Sequence, residues 1–317
     1  MTTSQFSKYS FLPIEHPSLD FYYQQQKNVV WFPSHVSLEQ DIKDWKRQDI
    51  RNQKKFLFKY MCLFSQLDAL INENIVEHFK QETSEYKDAR NFYAAQNFIE
   101  TIHSEMYSIF IDKLIDDESL KAKMFDSISH DTSIKNIADW VLKWMNKSLP
   151  LEHRVIAFAC IEGILFSAAF AGVYWLKSQN IFPGVCKANE WIARDECLHT
   201  LFAVELYKVM NKTVDKHIIS SIIKESVELA IDFNKEALET DGIGLTTDGM
   251  NNYIKCTADV ISNYFGSGIL YGESAGPFTE WMKIIGLSNK SNFFETTVTE
   301  YSAHKSSDFK FDLDTEF

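Results

Sequence analysis

The chain has 317 residues, 45% of them hydrophobic and 14% aromatic, enough for one large core or at most two. With only 11 glycines and 6 prolines, it is poorly suited to a turn-rich all-β fold or a disordered chain. Its formal charge of −12 would repel a phosphate backbone, which argues against direct nucleic-acid binding.

Residues 1–30 lack a basic start followed by a continuous apolar stretch, so no signal or transit peptide is expected, and they are read as an N-terminal arm. Apolar residues at three- and four-residue spacing then predict one long helix over 41–82 and a second over 89–115, joined by the polar "TSEYKD". A shorter helix, "KNIADWVLKWMNKS", precedes Pro150, which suits a helix start. Residues 155–176, "VIAFACIEGILFSAAFAGVYWL", are long enough to cross a membrane. Their single charge, Glu162, would cost about 2.5–3.5 kcal/mol at mid-span, and no second span exists, so a buried central helix is expected instead. After the "FPG" turn come helices holding "NEWIARDECLHTLFAVELYKVM" and "DKHIISSIIKESVELAIDFNKEAL", then another over about 249–265. From Gly286 the sequence becomes polar and loses periodicity, and 286–317 reads as a flexible acidic tail. Cys62, Cys160, Cys186, Cys197 and Cys256 form no C-x-x-C pair, which fits reduced thiols in a cytosolic protein.

The chemistry concentrates in "IETIHSEMYSIF", where Glu100, His103 and Tyr107 fall on one helical face among apolar residues. Burying such groups without partners costs several kcal/mol. Of nine histidines only His103 and His199 have Glu three residues upstream (Glu100, Glu196), and chance alone gives about one acid at that spacing. The setting carries more weight than the spacing. Asp68 lies inside the hydrophobic run "CLFSQLDALINENI", and Glu162 stands alone in the most apolar helix. Four helices can therefore bring Asp68, Glu100, His103, Glu162, Glu196 and His199 to one bundle interior. This is the carboxylate and Glu-x-x-His arithmetic of di-iron bundles, with Asp68 in place of one glutamate. Two divalent cations would neutralise the four acids, and hard oxygens with only two imidazoles suit iron or manganese. Tyr107, one turn beyond His103, could then give an electron to a dioxygen-activating site and become a tyrosyl radical. The competing interpretation is four unrelated helices whose acids pair with Lys or Arg, and a core tyrosine with a bonded hydroxyl.

"IETIHSEMYS", "IEGILFSAAF", "ARDECLHTLFA", "LDALINENIVEHF" and "SNFFETTVTEY" resemble the motifs of the small, radical-generating subunit of class I ribonucleotide reductase, in its eukaryotic and viral forms. The similarity runs from about Trp31 to Phe317. It implies an all-α, ferritin-like bundle over 31–285 with a di-iron site ligated by Asp68, Glu100, His103, Glu162, Glu196 and His199, with di-manganese as the fallback. It implies a stable radical on Tyr107 in a pocket of Phe166, Phe170 and Ile192. It also implies radical transfer through Trp31, Asp195 and the tail residue Tyr301. The implied partners are a second copy of the chain and a large subunit that binds the substrate and is held by the tail through Phe309, Phe311, Leu313 and Phe317. No membrane is implied, and the expected place is the cytoplasm, of the host if the chain is viral. The tail over 302–311 departs from the common form, and the "QETSEYKDAR" connection is one residue longer than usual. No phosphate-binding glycine motif and no thiol pair for nucleotide reduction is present. A di-iron oxidase or desaturase acting on a lipid, a ferritin-like storage protein and a metal-free scaffold remain alternatives.

Overall fold

The computed structural model describes residues 10–238 and 244–284 and contains no strand among them. Its helices are α1 (Pro17–Asn28), α2 (Glu39–Lys46), α3 (Arg51–Asn74), α4 (Lys80–Glu82), α5 (Lys87–Leu114), α6 (Glu118–Phe125), α7 (Ser127–His130) and α8 (Thr132–Met145). They continue with α9 (Leu151–Cys160), α10 (Ser167–Ser178), α11 (Pro183–Met210), α12 (Lys216–Ala237), α13 (Thr247–Tyr264) and α14 (Thr279–Ile284). Two π-helical turns, Ile75–Phe79 between α3 and α4 and Ile161–Leu165 between α9 and α10, make each of those pairs nearly continuous. The 286–317 tail, including Tyr301, Phe309, Phe311, Leu313 and Phe317, lies outside the described residues.

The bundle that matters for function packs α3 on α5, α9 on α11 and α10 on α11, with α1 lying across α5 and α11. The apolar helix expected over 155–176 runs from Leu151 to Ser178, and 94% of its most apolar window is buried inside the protein. A helix apolar on all sides needs neighbours on all sides, and here they are α3, α11, α12 and α13. Gly172 permits one of those approaches, since a Cβ there would sit 2.0 Å from Phe56 Cζ on α3.

The single helix expected over 41–82 is instead divided, ending at Lys46 and restarting at Arg51. The cause is tertiary. Asp41 on α2 accepts from the backbone N–H groups of Gly184 (3.0 Å) and Val185 (2.8 Å), and Asp44 accepts from that of Phe182 (3.0 Å). Two carboxylates thus cap the start of α11, where unpaired N–H groups and the helix dipole favour negative charge. To reach that end α2 must diverge from α3, and Lys54 secures the break by donating to the carbonyls of Trp45 and Arg47. Gly184 is fixed by the same contact, because a Cβ would lie 2.3 Å from the Ser37 carbonyl.

Candidate metal centre

Along α5 the inward stripe reads Tyr93, Gln96, Glu100, His103, Tyr107, all buried. Facing it are Asp68 from α3, Glu162 from the π-helical turn after α9, and Asp195, Glu196 and His199 from α11. Asp68, Glu100, His103, Glu162, Glu196 and His199 are each no more than 2% exposed. Placing Glu162 in a π turn is consistent with the frequent use of such bulges to re-aim functional side chains.

The two Glu-x-x-His pairs interlock. Glu100 turns Oε2 toward His103 Nδ1 (3.3 Å) and Oε1 toward His199 Nδ1 (2.9 Å). Glu196 does the same, with Oε1 at 3.0 Å from His103 Nδ1 and Oε2 at 2.9 Å from His199 Nδ1. Each glutamate therefore spans both imidazoles, and each imidazole Nδ1 meets one oxygen from each glutamate. Glu162 joins the His199 side, where donor atoms of Glu100, Glu162, Glu196 and His199 all lie within 4.8 Å of one another.

A hydrogen-bonded layer surrounds this cluster. His103 Nε2 is 3.1 Å from Asp195 Oδ2, and the same oxygen accepts from Trp31 Nε1 at 2.9 Å. Trp31 also stacks on His103 with 6.0 Å between ring centroids. The structure thus joins three residues that the sequence could pair only through resemblance. It adds two that sequence reasoning missed. Gln96 donates to Glu100 Oε1 (3.2 Å) and Glu162 Oε1 (3.1 Å), while Gln26 of α1 contacts both Asp195 and His199. Gln96 could have been found, because it sits one turn before Glu100 on the same face.

The cluster is short of positive charge. Burial, reinforced by Glu100 and Glu196, pushes the Asp68 carboxyl well above its usual range, and burial with Glu196 and Glu100 does the same to Glu162. Burial disfavours a charged His199, yet Glu100 and Glu196 outweigh it and push its pKa up to about 9. His103 is likewise raised against burial by Asp195, Glu100 and Glu196. Glu196 is held low, because the two imidazoles outweigh its burial. Protons are therefore drawn into a dry site. Both Asp68 oxygens and Glu162 Oε2 nevertheless have no hydrogen-bond partner. Buried carboxylate oxygens cost several kcal/mol unless paired or coordinated. The donor set, oxygen-rich with two imidazoles, fits two hard divalent cations.

Tyr107 is buried and its hydroxyl has no partner. Burial, with Asp68, Glu196 and Glu100 nearby, raises its pKa well above the usual phenol value. Its ring stacks on Phe64 (4.6 Å, 7° between planes), a residue the sequence reading did not single out. Phe166 and Phe170 pack on Phe64 at 5.2 and 5.1 Å, and Ile192 is buried on α11.

Comparison with known proteins agrees in family and fold. The family model described as "Ribonucleotide reductase, small chain" matches residues 8–277. The ribonucleoside-diphosphate reductase small subunit of Dictyostelium discoideum is 36% identical over 295 residues, 93% of this chain and 86% of that one. The small chain of Variola virus is 35% identical over 314 residues, 98% of this chain and 97% of that one. Among solved structures, the ribonucleotide reductase Rnr4 homodimer from Saccharomyces cerevisiae has a TM-score of 0.79 at 26% identity, covering 92% of this chain and 89% of that one. Interlocked Glu-x-x-His pairs on an all-helical frame, and relatives aligned over nearly their whole length, lead to one conclusion: this chain belongs to the ribonucleotide reductase small-chain family.

Proposed function

We propose that the chain holds two iron ions through Asp68, Glu100, His103, Glu162, Glu196 and His199, and generates on Tyr107 a tyrosyl radical that its large partner subunit uses to reduce ribonucleotides to deoxyribonucleotides. The observation that carries this is the cluster itself, in which Glu100 and Glu196 each present one oxygen to both imidazoles. Glu162 and His199 would hold one ion with the two bridging glutamates, and Asp68 and His103 would complete the donor set for the other. When bound, the ions supply dioxygen activation and hence the oxidising equivalent.

The remaining work belongs to side chains. Tyr107 would give one electron to that oxidising equivalent and its hydroxyl proton to the neighbouring Asp68 carboxylate, becoming a neutral phenoxyl radical. Phe64, Phe166, Phe170 and Ile192 exclude water and reductants from it. Trp31, Asp195 and His103 form the route for electrons between the surface side and the centre. Asp195 accepts hydrogen bonds from both ring N–H groups, which sets their orientation. Tyr301 continues that route, and Phe309, Phe311, Leu313 and Phe317 anchor the tail on the large subunit.

A homodimer in the cytoplasm is part of the same proposal, since the yeast relative is a homodimer. The surface for it is the α1–α5 face, where Phe11, Phe32 and Phe98 are 44–50% exposed. The chain would be loaded with ferrous iron and exposed to air, then examined by electron paramagnetic resonance. A tyrosyl signal that disappears in Tyr107→Phe, with iron content unchanged, supports the assignment. The same signal persisting in Tyr107→Phe refutes it.

A further inference from the structure

Trp31 is only 2% exposed, too little to be the point where a molecule in solution makes contact. A second, half-buried indole lies against it. Trp191 of α11 packs on Trp31 with 5.3 Å between ring centroids and 47° between planes. Lys187, Trp191, Asp195 and His199 follow one another at four-residue steps, each one turn beyond the last. They form a slowly turning stripe along α11 from the exposed Lys187 to the buried cluster. Lys187 places its Nζ 4.7 Å from the centre of the Trp191 ring and donates to the His35 carbonyl at 3.4 Å. The two indoles therefore sit in opposite electrostatic surroundings. Trp31 gives its N–H to the Asp195 carboxylate, which favours positive charge on that ring. Trp191 lies under an ammonium, which is attracted to the neutral ring but repels the same ring once it has lost an electron.

We propose that Trp191 is a further electron-transfer residue, the solvent-side end of a two-indole relay to Trp31, and that Lys187 keeps this relay closed at rest. The proposal rests on the radical reading given above and adds an entry for one-electron donors in solution, separate from the tail. Trp31 gives one electron toward the Tyr107 phenoxyl radical, which takes back the proton it released and closes as a phenol. Trp191 then gives one electron to the oxidised Trp31 and becomes an indole radical cation. A one-electron donor at the surface refills Trp191, so the net change is one electron moved from that donor to Tyr107. The middle step is uphill, because it moves positive charge from beside the Asp195 carboxylate to beneath the Lys187 ammonium. Stray reductants are held off while the ammonium is in place. A donor whose anionic group draws Lys187 away from the ring finds the relay open.

The radical-bearing, full-length chain would be mixed anaerobically with reduced methyl viologen, and the tyrosyl signal followed by electron paramagnetic resonance. Trp191→Phe keeps an aromatic ring that is far harder to oxidise, and it should slow the decay about tenfold. Lys187→Met keeps the length and apolar stem without the charge. It should speed the decay about tenfold, since water screens an exposed ammonium and limits its effect. In the double variant the Lys187 effect should vanish, a coupling that purely structural roles would not produce. Unchanged decay in Trp191→Phe, no acceleration in Lys187→Met, or an acceleration that persists in the double variant would overturn the proposal. The same coupling can be read without metal. Flash oxidation of the metal-free chain by a ruthenium polypyridyl sensitiser with persulfate should give more indole radical in Lys187→Met than in the wild type, and no such gain in the double variant. A wild-type chain that forms no tyrosyl radical would refute the radical reading itself. The flash yields then decide the relay alone: a gain confined to chains holding Trp191 supports it, and no gain overturns it.

Discussion

Two sites in this protein set acidic side chains against its interior, one half-buried and one fully buried, and they handle the charge in opposite ways. Glu82 meets Arg154 in a bidentate pair, 2.7 Å at both oxygens, and the completely buried guanidinium also donates to the Trp144 carbonyl. No carboxylate oxygen is left over. In the cluster of Asp68, Glu100, Glu162 and Glu196, the two imidazoles and the Gln96 amide meet the acids, and three oxygens have no hydrogen-bond partner. A structural acid is closed by donors from its own chain. The cluster keeps carboxylate oxygens that its own chain does not satisfy, a donor set that fits divalent cations.

The comparison can be broken first at the cluster. Glu162→Ala removes an acid that nothing in the chain neutralises. The metal-free protein should be as stable as the wild type or more so, while iron content falls and nucleotide reduction with the large subunit is abolished; calorimetry and an iron count check both halves. The opposite substitution is Arg154→Ala, which should cost about 1.5–3 kcal/mol, in the range for charged hydrogen bonds, because the Glu82 it leaves behind is only half-buried. It should lower the thermal midpoint without changing iron stoichiometry. A smaller effect is expected at Asp195→Ala, where ions should still bind but turnover should fall about 10–100-fold, as for other groups that orient a ligand. Unchanged turnover would disconnect Trp31 from the centre.

The smallest effect is a pH dependence. Arg154 holds the Glu82 carboxyl below its usual range. Its contribution to stability is therefore fully present above the unfolded value of about 4.3 and is lost as pH falls through the lower folded value. Denaturation of the metal-free protein at stepped pH should show this acid-side loss, and Arg154→Ala should lack it.

Much of this was legible in the sequence, for identifiable reasons. Asp68 and Glu162 stood out because each interrupts an apolar run, and Glu100 with His103 because a three-residue offset shares a helix face. Gln26 was not legible. It lies in "YYQQQKN" beside Gln24 and Gln25, and only the docking of α1 against α11 selects it. Phe64 looked like any core aromatic until its ring met Tyr107. The break between α2 and α3 was hidden because apolar spacing continues through it, while its cause, the Asp41 and Asp44 caps on α11, lies more than a hundred residues away. The π turn at Ile161–Leu165 was hidden because a segment apolar on every side has no period to disturb.

The sharpest check is an anaerobic titration of the metal-free chain with ferrous iron, counting ions bound and protons released together. Asp68, Glu162, His103 and His199 all have raised pKa values in the metal-free cluster, so ions must displace protons. Two ions should bind per chain with proton release, and iron at about 100 times its dissociation constant should stabilise the fold by about 2.7 kcal/mol per site. Binding should weaken as pH falls. A chain that took up no iron, or took it up without releasing protons or gaining stability, would contradict the assignment of these six residues as a two-metal centre.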